Sequence, residues 1–378
     1  MEEATTYKLG DISTMKYGKL PPKHINEGNY PIWSGYRYVG KCNEFNCNKG
    51  DIIIVARGVG GTGDVKIAKE DCYLTNLSIQ VKLDKNICQP EYFYYRYLLS
   101  NLKYLDSGSA QSQITIEDLK RLEVTLPPLE QQHKITDILK SIDEKIELNR
   151  QINDNLEQQA QALYKSWFVD FEPFKDGEFI ESELGQIPEG WQCIPFSMFV
   201  SESKAKTGKI GIKEYSVTNN GIFPRDAKYN KSLSQSSTKN KLILYGDLVF
   251  GMSRDILNWG VMQEEQGGVS SAYTVYNINS GIVNSTYLEL FIKSRIHLFS
   301  DLIRPAAREG QGIDKSVLQT KVLLCPPQEV LDTFWPLYNS VTNQIQRTTT
   351  EINCLGDVRD TLLPKLMSGE LKINEIDC

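Results

Sequence analysis

A glycine-rich run is the first feature of this sequence that could do chemistry. The run Gly58-Val59-Gly60-Gly61-Thr62-Gly63 fits the G-x-G-x-x-G pattern of dinucleotide sites, in which a helix must follow at once and receive the pyrophosphate at its N-terminus. Here the chain continues as Asp64-Val65-Lys66-Ile67-Ala68 and then Tyr73 to Val81, a pattern that predicts further strand. We therefore predict no nucleotide site. We interpret the run as a β-turn whose backbone could approach a ligand closely.

The eight cysteines and three histidines offer little for a metal site. Four cysteines could supply zinc ligands, but the sequence has no Cys-x2-Cys pair; they are Cys42, Cys47, Cys72 and Cys88. We expect free thiols, no metal and no cofactor. The sequence also lacks a P-loop, a G-x-S-x-G elbow and the Pro-Pro-Tyr loop of amino-methyltransferases. We predict that the chain is not itself an enzyme.

Basic residues are concentrated in one segment. The whole chain has a net charge of −6, but nine basic residues between Lys204 and Lys241 face only Glu214 and Asp226, which gives a local charge of +7. Three aromatic residues are interleaved with them. Such a local patch fits docking to a nucleic-acid phosphate backbone, because affinity there comes from neutralised phosphates and not from total charge. A solvated lysine-rich loop is the alternative.

Bulk properties are those of an ordinary globular protein. The 378 residues are enough for two or three domains, and 40% apolar with 24% charged residues is a common composition. No stretch approaches the roughly 18 apolar residues of a membrane span. The first residues, Met1-Glu2-Glu3-Ala4, lack the basic and apolar regions of a signal peptide. We expect a cytoplasmic protein without membrane association.

Two segments have the apolar pattern of long helices. The first has 4,3 spacing throughout, with apolar residues at Ile135, Leu139, Ile142, Ile146, Leu156, Ala160 and Leu163 and with Asn149 and Asn153 at the two intervening positions. The second is less regular, with Leu337, Val341, Ile345, Thr348, Ile352, Leu355, Leu362 and Leu366. We expect Pro336 to mark the start of the second helix and Gly356 to weaken its middle.

Each apolar stripe needs a partner. The simplest arrangement is that the two helices, each about 35–40 residues long and roughly 55 Å in length at 1.5 Å per residue, pack on each other as an antiparallel coiled coil. Buried asparagines in such a seam would fix register, because mispairing strands their amides. The alternative is that each helix packs on its own globule.

The order of motifs suggests an internal repeat. The run Leu126-Pro127-Pro128-Leu129-Glu130 has a degraded copy, Cys325-Pro326-Pro327-Gln328-Glu329, 199 residues later. Further pairs keep this order, namely Gly50-Asp51 with Gly246-Asp247, Ile114 with Ile313 and Leu119 with Leu318. We predict an α+β fold with two similar β-rich domains, related by a pseudo-two-fold repeat and separated by two long helices. Two unrelated α+β domains are the alternative.

The helical motif and its neighbours carry a family resemblance. Leu126 to Ile135, with Leu139 to Ile146, resembles the first helical region of type I restriction-modification specificity subunits. Ala162 to Phe171, Gly185 to Trp191 and Leu362 to Leu371 are similar to the same family. The resemblance implies five parts, which are a target-recognition domain (5–126), a helical spacer (127–170), a linker (171–189), a second target-recognition domain (190–325) and a second helical spacer (326–371).

The same resemblance implies a function and partners. Each domain would recognise one half of a bipartite site in double-stranded DNA. The helices would set the distance between half-sites and dock two methyltransferase subunits, and an endonuclease/translocase subunit could join. In this family SAM belongs to the methyltransferase subunit and ATP to the translocase, so the chain would supply specificity without catalysis.

Candidate contact residues are side chains that donate to phosphates or to base edges. In the first domain they are Tyr36, Arg37, Arg57, Lys66, Asn76, Ser78, Gln111 and Gln113, and in the second Lys206, Lys209, Arg225, Lys228, Arg254, Ser270, Arg308 and Gln311. For methyltransferase docking we select outward helix positions, namely Glu144, Glu147, Arg150 and Glu157.

Three other functions are compatible with parts of the sequence. A stand-alone DNA-binding or regulatory protein would use the repeat without a methyltransferase partner. A nucleotide-dependent enzyme would use the glycine run, and a coiled-coil adaptor would use only the helices. The adaptor does not explain duplicated β-rich domains, and binding of NAD or SAM by the isolated chain would be needed to support the enzyme.

Overall fold

The computed structural model describes residues 4–22, 27–58, 61–106, 113–225, 237–252, 255–303 and 313–371. The chain forms two compact units. Unit 1 consists of Met1–Asp154 with Ile345–Cys378, and unit 2 is Asn155–Gln344. Each unit has its own apolar core.

The described part of unit 1 begins with a series of short strands that precede its helices. Its elements are β1 (Thr5–Lys8), β2 (Ser13–Tyr17), β3 (Tyr30–Ser34), β4 (Arg37–Cys42), β5 (Ile52–Val55), β6 (Val65–Ile67), β7 (Tyr73–Leu74), β8 (Ser78–Leu83), α1 (Pro90–Leu98), α2 (Ile116–Lys120), β9 (Glu123–Leu126) and the start of α3 (Leu129–Phe168).

The main sheet of unit 1 has the strand order β2-β8-β5-β6, and all its pairs are antiparallel. Strand β5 lies inside this sheet because its four consecutive residues are apolar, and all four are buried. Strand β1 pairs with β9, and β3 lies between β4 and β7. Helix α1 packs its aromatic face into the same core, with Tyr92 and Phe93 almost fully buried.

Unit 2 repeats this succession of short strands followed by helices. Its elements are the end of α3, then β10 (Phe179–Ser182), β11 (Gly185–Pro188), β12 (Gln192–Pro195), β13 (Val200–Ser203), β14 (Tyr215–Thr218), β15 (Gly221–Pro224), β16 (Lys241–Leu244), β17 (Leu248–Phe250), β18 (Trp259–Val261), β19 (Gln266–Val269), β20 (Thr274–Ile278), α4 (Ser285–Ser294), α5 (Lys315–Thr320), β21 (Val322–Cys325) and the start of α6 (Gln328–Ser368).

The main sheet of unit 2 has the order β13-β20-β17-β18, again antiparallel. When the four strands of each main sheet are numbered in chain order, they lie side by side in the same order in both units, which is first, fourth, second, third. Strands β12 and β21 pair as β1 and β9 do in unit 1. The predicted α+β class is confirmed.

A Gly-Asp turn introduces the buried central strand of unit 1. Gly50 has a φ of +86°, a conformation that favours glycine. The Asp51 carboxylate is buried, and its Oδ2 accepts hydrogen bonds from the Asn48 backbone N–H at 3.1 Å and from Gln80 Nε2 on β8 at 2.7 Å. The aspartate thus fixes both the turn and the neighbouring strand.

Unit 2 has the same kind of Gly-Asp turn. Gly246 has a φ of +83°, and the buried Asp247 accepts from the Leu244 backbone N–H and from Asn277 Nδ2 on β20, both at 2.8 Å. The repeated dipeptide in the sequence therefore has the same physical role in both units. Burial raises the pKa of Asp247, although both hydrogen bonds oppose the rise.

Asp247 should make the stability of unit 2 depend on pH. Because its folded-state pKa is raised, its stabilising contribution is present below the ordinary aspartate pKa and is lost as the pH rises through the higher folded value. The asparagine side chain of the Asp247→Asn variant does not titrate in this pH range. We expect the difference in unfolding temperature, wild type minus variant, to shrink as the pH rises from about 4, measured by thermal unfolding at several pH values. A constant difference would contradict this role for Asp247.

The two long helices contain 40 and 41 residues, in agreement with the predicted length. The predicted start of the second helix at Pro336 is wrong, because α6 begins at Gln328 and continues through both Pro336 and Gly356. A proline inside a helix removes one backbone hydrogen bond. Aromatic residues on both sides of it are packed in the unit 2 core, and this packing holds the helix together. The prediction that Leu337 is a seam residue is also wrong, since Leu337 is 48% exposed and Phe334 is buried instead.

Within unit 1, segments of the two helices contact each other in reverse order. Arg359 Nη1 donates to Asp143 Oδ1 at 2.8 Å, and further along α3 the Asn153 Nδ2 donates to Thr349 Oγ1 at 3.0 Å. These two segments therefore run in opposite directions. The first-helix seam positions in this unit are buried or half-buried, namely Ile135, Leu139, Ile142, Ile146, Asn149 and Asn153.

None of the helices in the described ranges is both long and apolar enough to cross a membrane. Among the same residues no group of three or more His, Cys, Asp or Glu side chains is placed to hold a metal ion. Cys47 and Cys72 lie opposite each other and exchange backbone hydrogen bonds of 3.1 and 2.9 Å, but the four cysteines considered as zinc ligands do not form one cluster.

Candidate nucleic-acid interface

In unit 1 the candidate residues converge around one β-hairpin. Strands β3 and β4 form this hairpin, in which Ser34 pairs with Arg37 and only Gly35 and Tyr36 form the turn. Gly35 has a φ of +61° and Tyr36 does not have a positive φ, which is the signature of a type II′ turn with glycine at its first central position. The hairpin therefore places Tyr36 and Arg37 at its tip.

The two tip residues contact each other and a lysine from β6. Arg37 Nε donates to the Tyr36 hydroxyl at 3.0 Å, and the guanidinium carbon lies 5.2 Å from the Tyr36 ring centroid. Lys66 Nζ donates to the Tyr36 carbonyl at 3.4 Å and lies 5.9 Å from the Trp33 ring. Three of the predicted contact residues thus form one group, of which Arg37 is exposed and the other two are half-buried.

The glycine-rich run lies between β5 and β6, which are antiparallel neighbours. A dinucleotide site needs a helix at this point, whereas the next element after the run is the strand β6. A Cβ on Gly61 would come within 2.7 Å of the Tyr36 ring. One on Gly63, whose φ is +90°, would come within 2.4 Å of the Lys103 backbone nitrogen. At these positions glycine allows close packing inside the protein.

Arg57 follows β5 and forms an isolated β-bridge with Gln113. Its Nη2 donates to the Asn76 carbonyl at 3.3 Å, so Arg57, Asn76 and Gln113 are neighbours, and all three are half-buried. The Arg57 Nε is buried and has no hydrogen-bond partner within the described part of the chain.

Ser78, another predicted contact residue, is not exposed. Its side chain is fully buried at the start of β8, and its hydroxyl has no partner within the described residues. A buried hydroxyl cannot reach a DNA base, so we leave Ser78 out of the interface. The predicted contact residue Gln111 lies outside the described residues.

In unit 2, Lys206 and Lys209 are exposed. Lys206 forms a bridge with Lys241, whose Nζ donates to the Tyr273 carbonyl. Burial lowers the pKa of Lys241, while Glu202 opposes the change. The half-buried Ser270 follows Val269, the partner of Lys241 in the β16–β19 pair. Two predicted residues, Lys206 and Ser270, are thus brought to one region.

Arg225 follows β15 and is half-buried. Its Nη1 donates to Ser216 Oγ at 3.1 Å, and its backbone N–H donates to the Glu214 carbonyl at 2.8 Å. Glu214 in turn forms a bridge with Gly268 on β19, which connects Arg225 to the strand that leads to Ser270. The other predicted residues of this unit lie outside the described residues, namely Lys228, Arg254, Arg308 and Gln311.

Two features of unit 2 were not selected from the sequence. Lys213 forms an ion pair with Glu264 at 3.1 Å and lies 5.4 Å from the Tyr215 ring centroid, and the hydrogen bond that Lys213 donates to Glu264 raises the Lys213 pKa. Asn219 and Asn220 are exposed in the turn between β14 and β15. The run Asn219-Asn220-Gly221 is a turn signal and could have indicated this exposed amide pair.

Comparison with known proteins agrees with this geometry. The family model described as "Type I restriction modification DNA specificity domain" matches residues 1–158. The type I restriction enzyme MjaIX specificity subunit of Methanocaldococcus jannaschii is 28% identical over 98% of this chain and 94% of its own length. The chain is thus similar to type I restriction-modification specificity subunits. The match with the MjaIX subunit extends across both units.

Further type I specificity subunits are similar to this chain over part or all of its length. The type I restriction enzyme HindI specificity subunit of Haemophilus influenzae is 42% identical over 113 residues, which are 28% of this chain and 24% of the relative. The crystal structure of the type I restriction-modification system S subunit from M. genitalium matches with a TM-score of 0.55 at 16% identity and covers 96% of each chain. This likeness shows that the fold is shared.

The helix positions selected for partner docking are all exposed. Glu144 lies 3.6 Å from Lys140, and Glu147 lies 3.7 Å from Arg150, as ion pairs along α3. Glu157 is exposed on the same helix. Exposed ion pairs contribute little to stability, so these side chains are available to a partner at low cost.

Proposed function

We propose that this chain is the DNA sequence-specificity subunit of a type I restriction-modification complex. The observation that carries the proposal is the similarity to the MjaIX specificity subunit, which spans 98% of the chain and so includes both units. The exposed basic residues of both units support a role in DNA binding.

Each unit would contain one target-recognition domain and recognise one half of a bipartite DNA site. The proposed boundaries are residues 5–126 and 190–325, with 171–189 as a linker. The shared strand order of the two main sheets and the matching Gly-Asp turns support a duplication. In this proposal the two units are related by a pseudo-two-fold repeat.

The helical regions 127–170 and 326–371 would form an antiparallel coiled coil that sets the distance between half-sites. The reversed order of the contacts within unit 1 supports this arrangement. Asn149 is buried and Asn153 is half-buried, and in such a seam a polar residue would fix register at a cost in stability.

The complex would contain two methyltransferase subunits, docked on outward positions such as Glu144, Glu147, Arg150 and Glu157, and an endonuclease/translocase subunit could join it. This chain would supply no catalysis and no cofactor site of its own, and it would act in the cytoplasm. DNA contacts would come from Tyr36, Arg37, Arg57, Lys66, Asn76 and Gln113 in one unit and from Lys206, Lys209, Arg225 and Ser270 in the other.

A modified-base map tests this function directly. DNA would be analysed from cells that express this chain with its methyltransferase subunit, and the control is the methyltransferase subunit alone. We expect a split, two-part motif that is methylated only when this chain is present. No new methylation from a verified, folded complex would instead favour a stand-alone DNA-binding protein.

Arg57 provides a test of the two-domain arrangement. We expect Arg57→Ala to weaken recognition of one half-site by roughly 5- to 150-fold, the range for loss of one well-placed base contact, and to leave the other half-site unchanged. Lys209→Ala in unit 2 is the matched variant and should affect only the other half-site. Binding of the complex to duplexes with one half-site scrambled at a time measures both effects. Equal loss at both half-sites would contradict the arrangement.

A further inference from the structure

The tip of the β3–β4 hairpin holds an exposed arginine in one orientation. Because Arg37 Nε donates to the Tyr36 hydroxyl at 3.0 Å, the Nε–H, one of the five guanidinium N–H donors, is used within the protein. The remaining four donors are on Nη1 and Nη2. The fork that they form is the part of the guanidinium that remains for a ligand.

Tyr36, whose hydroxyl orients Arg37, is itself held in place by its neighbours. The Tyr36 ring lies against Gly61, where even a Cβ would come within 2.7 Å of it. The Tyr36 carbonyl accepts from Lys66 Nζ at 3.4 Å, and the type II′ turn at Gly35 fixes the backbone before it. This support reduces the rotamer entropy that a long side chain loses when it binds.

The surroundings of Arg37 fit a nucleic-acid groove. A two-stranded β-ribbon is one of the elements that enter the DNA major groove. Two residues beyond Arg37 on β4, Val39 is 38% exposed. An apolar side chain near an arginine at the tip of a ribbon would face base edges and thymine methyl groups, whereas a contact with phosphate alone needs no such residue.

We propose that Arg37 recognises a guanine in the half-site of unit 1 and that Tyr36 is its positioning residue. The guanine O6 and N7 are two adjacent acceptors in the major groove, and they match the two-pronged donor that Nη1 and Nη2 present. Adenine offers N7 beside the N6 donor, and cytosine offers the N4 donor, so neither matches an arginine fork. The inference rests on the proposed function of unit 1 in DNA recognition.

Duplexes that carry 7-deazaguanine test the contact atom by atom. This base lacks N7 but keeps O6 and the Watson–Crick edge, and it would replace each guanine of the target one at a time. Binding to the complex of this chain with its methyltransferase subunit would be measured for the wild type, Arg37→Ala, Arg37→Lys and Tyr36→Phe. Tyr38→Phe, on the same hairpin, is the matched control for loss of a tyrosine hydroxyl.

For the wild type we expect one guanine in one half-site at which 7-deazaguanine weakens binding roughly tenfold or more, since one partner of that hydrogen bond is charged. In Arg37→Ala the same replacement should have no effect. Arg37→Lys should bind more weakly and discriminate less between bases at that position, because an ammonium group is not a planar fork. Tyr36→Phe should reduce the preference for guanine by roughly three- to tenfold, and Tyr38→Phe should leave it unchanged.

Three results would overturn the proposal. These are a target without a G·C pair in either half-site, an Arg37→Ala variant that keeps the 7-deazaguanine effect at every guanine, and an Arg37→Ala variant that weakens binding equally whatever the base. The last result would identify Arg37 as a phosphate contact. Failure of the proposed function is distinct, since the wild-type complex would then show no sequence preference at all.

Discussion

Replacement of Phe334 by alanine should lower the free energy of unfolding of unit 2 by about 3–5 kcal/mol, the range for deletion of a fully buried phenylalanine side chain. Phe334 is 0% exposed on α6. Its ring centroid lies 4.6 Å from that of Phe168, 5.6 Å from that of Trp167 and 5.5 Å from that of Tyr338. Truncation leaves a cavity that these large, rigid rings cannot readily fill, so the loss should lie near the upper end of the range.

Urea unfolding followed by tryptophan fluorescence measures this effect. Four of the five tryptophans, all except Trp33, lie in unit 2, so the signal reports mainly on that unit. Leu337→Ala is the matched control on the same helix, and because Leu337 is 48% exposed we expect a change within about 0.5 kcal/mol. Equal losses for the two variants would contradict the packing described for α6.

Leu337 and Phe334 also show where the sequence pattern failed. The heptad pattern selected Leu337 because leucine at 4,3 spacing usually lies in a helical seam. The N-terminal part of α6 packs instead into an aromatic cluster of unit 2 that includes Tyr164 and Phe168 of α3. These rings come from residues more than 160 positions apart in the chain, and no local period predicts which of them meet.

The sequence reveals the Leu126-to-Ile135 motif, but it does not reveal the physical role of Gln132 within it. Gln132 is fully buried. Its Oε1 accepts from the Gln89 backbone N–H at 3.0 Å, and its Nε2 donates to the Ile87 and Pro127 carbonyls at 2.9 and 2.8 Å. The side chain thus joins the start of α3 to the segment before α1. Leu331 stands 199 residues later and cannot make these bonds, so the second copy of the motif lacks this role.

Strands that follow a local signal were predicted better than the candidate interface. Gly50-Asp51 and Gly246-Asp247 introduce β5 and β17 as expected, because the turn, the buried aspartate and the apolar strand are adjacent in sequence. The arrangement of Arg37 depends instead on Gly61 and Lys66, which the β5–β6 hairpin brings beside β3–β4. Residue type alone identified Arg37 and Tyr36 as candidates. It could not show that one orients the other, nor that Ser78 is buried.

Deletion of one heptad from both long helices should shorten the spacer of the DNA target, while both half-sites stay the same. In the proposed coiled coil, a deletion of residues 154–160 together with 339–345 keeps the seam in phase, because seven residues are one full repeat. Each helix becomes about 10 Å shorter at 1.5 Å per residue, which corresponds to about three base pairs at 3.4 Å each. The modified-base map of the variant complex should show a spacer shortened by about that number.

A shorter spacer changes the rotation of the second half-site around the DNA as well as its distance. Three base pairs also turn the second half-site by roughly 100° around the DNA axis, given about 10.5 base pairs per turn, and twisting DNA or protein to compensate costs free energy. We therefore expect slower methylation of the new target than of the original one. Duplication of the same two segments is the matched variant, since it keeps every residue, including Glu157, and should lengthen the spacer by about three base pairs. If both variants methylate the original spacer, the helices do not set the distance between half-sites.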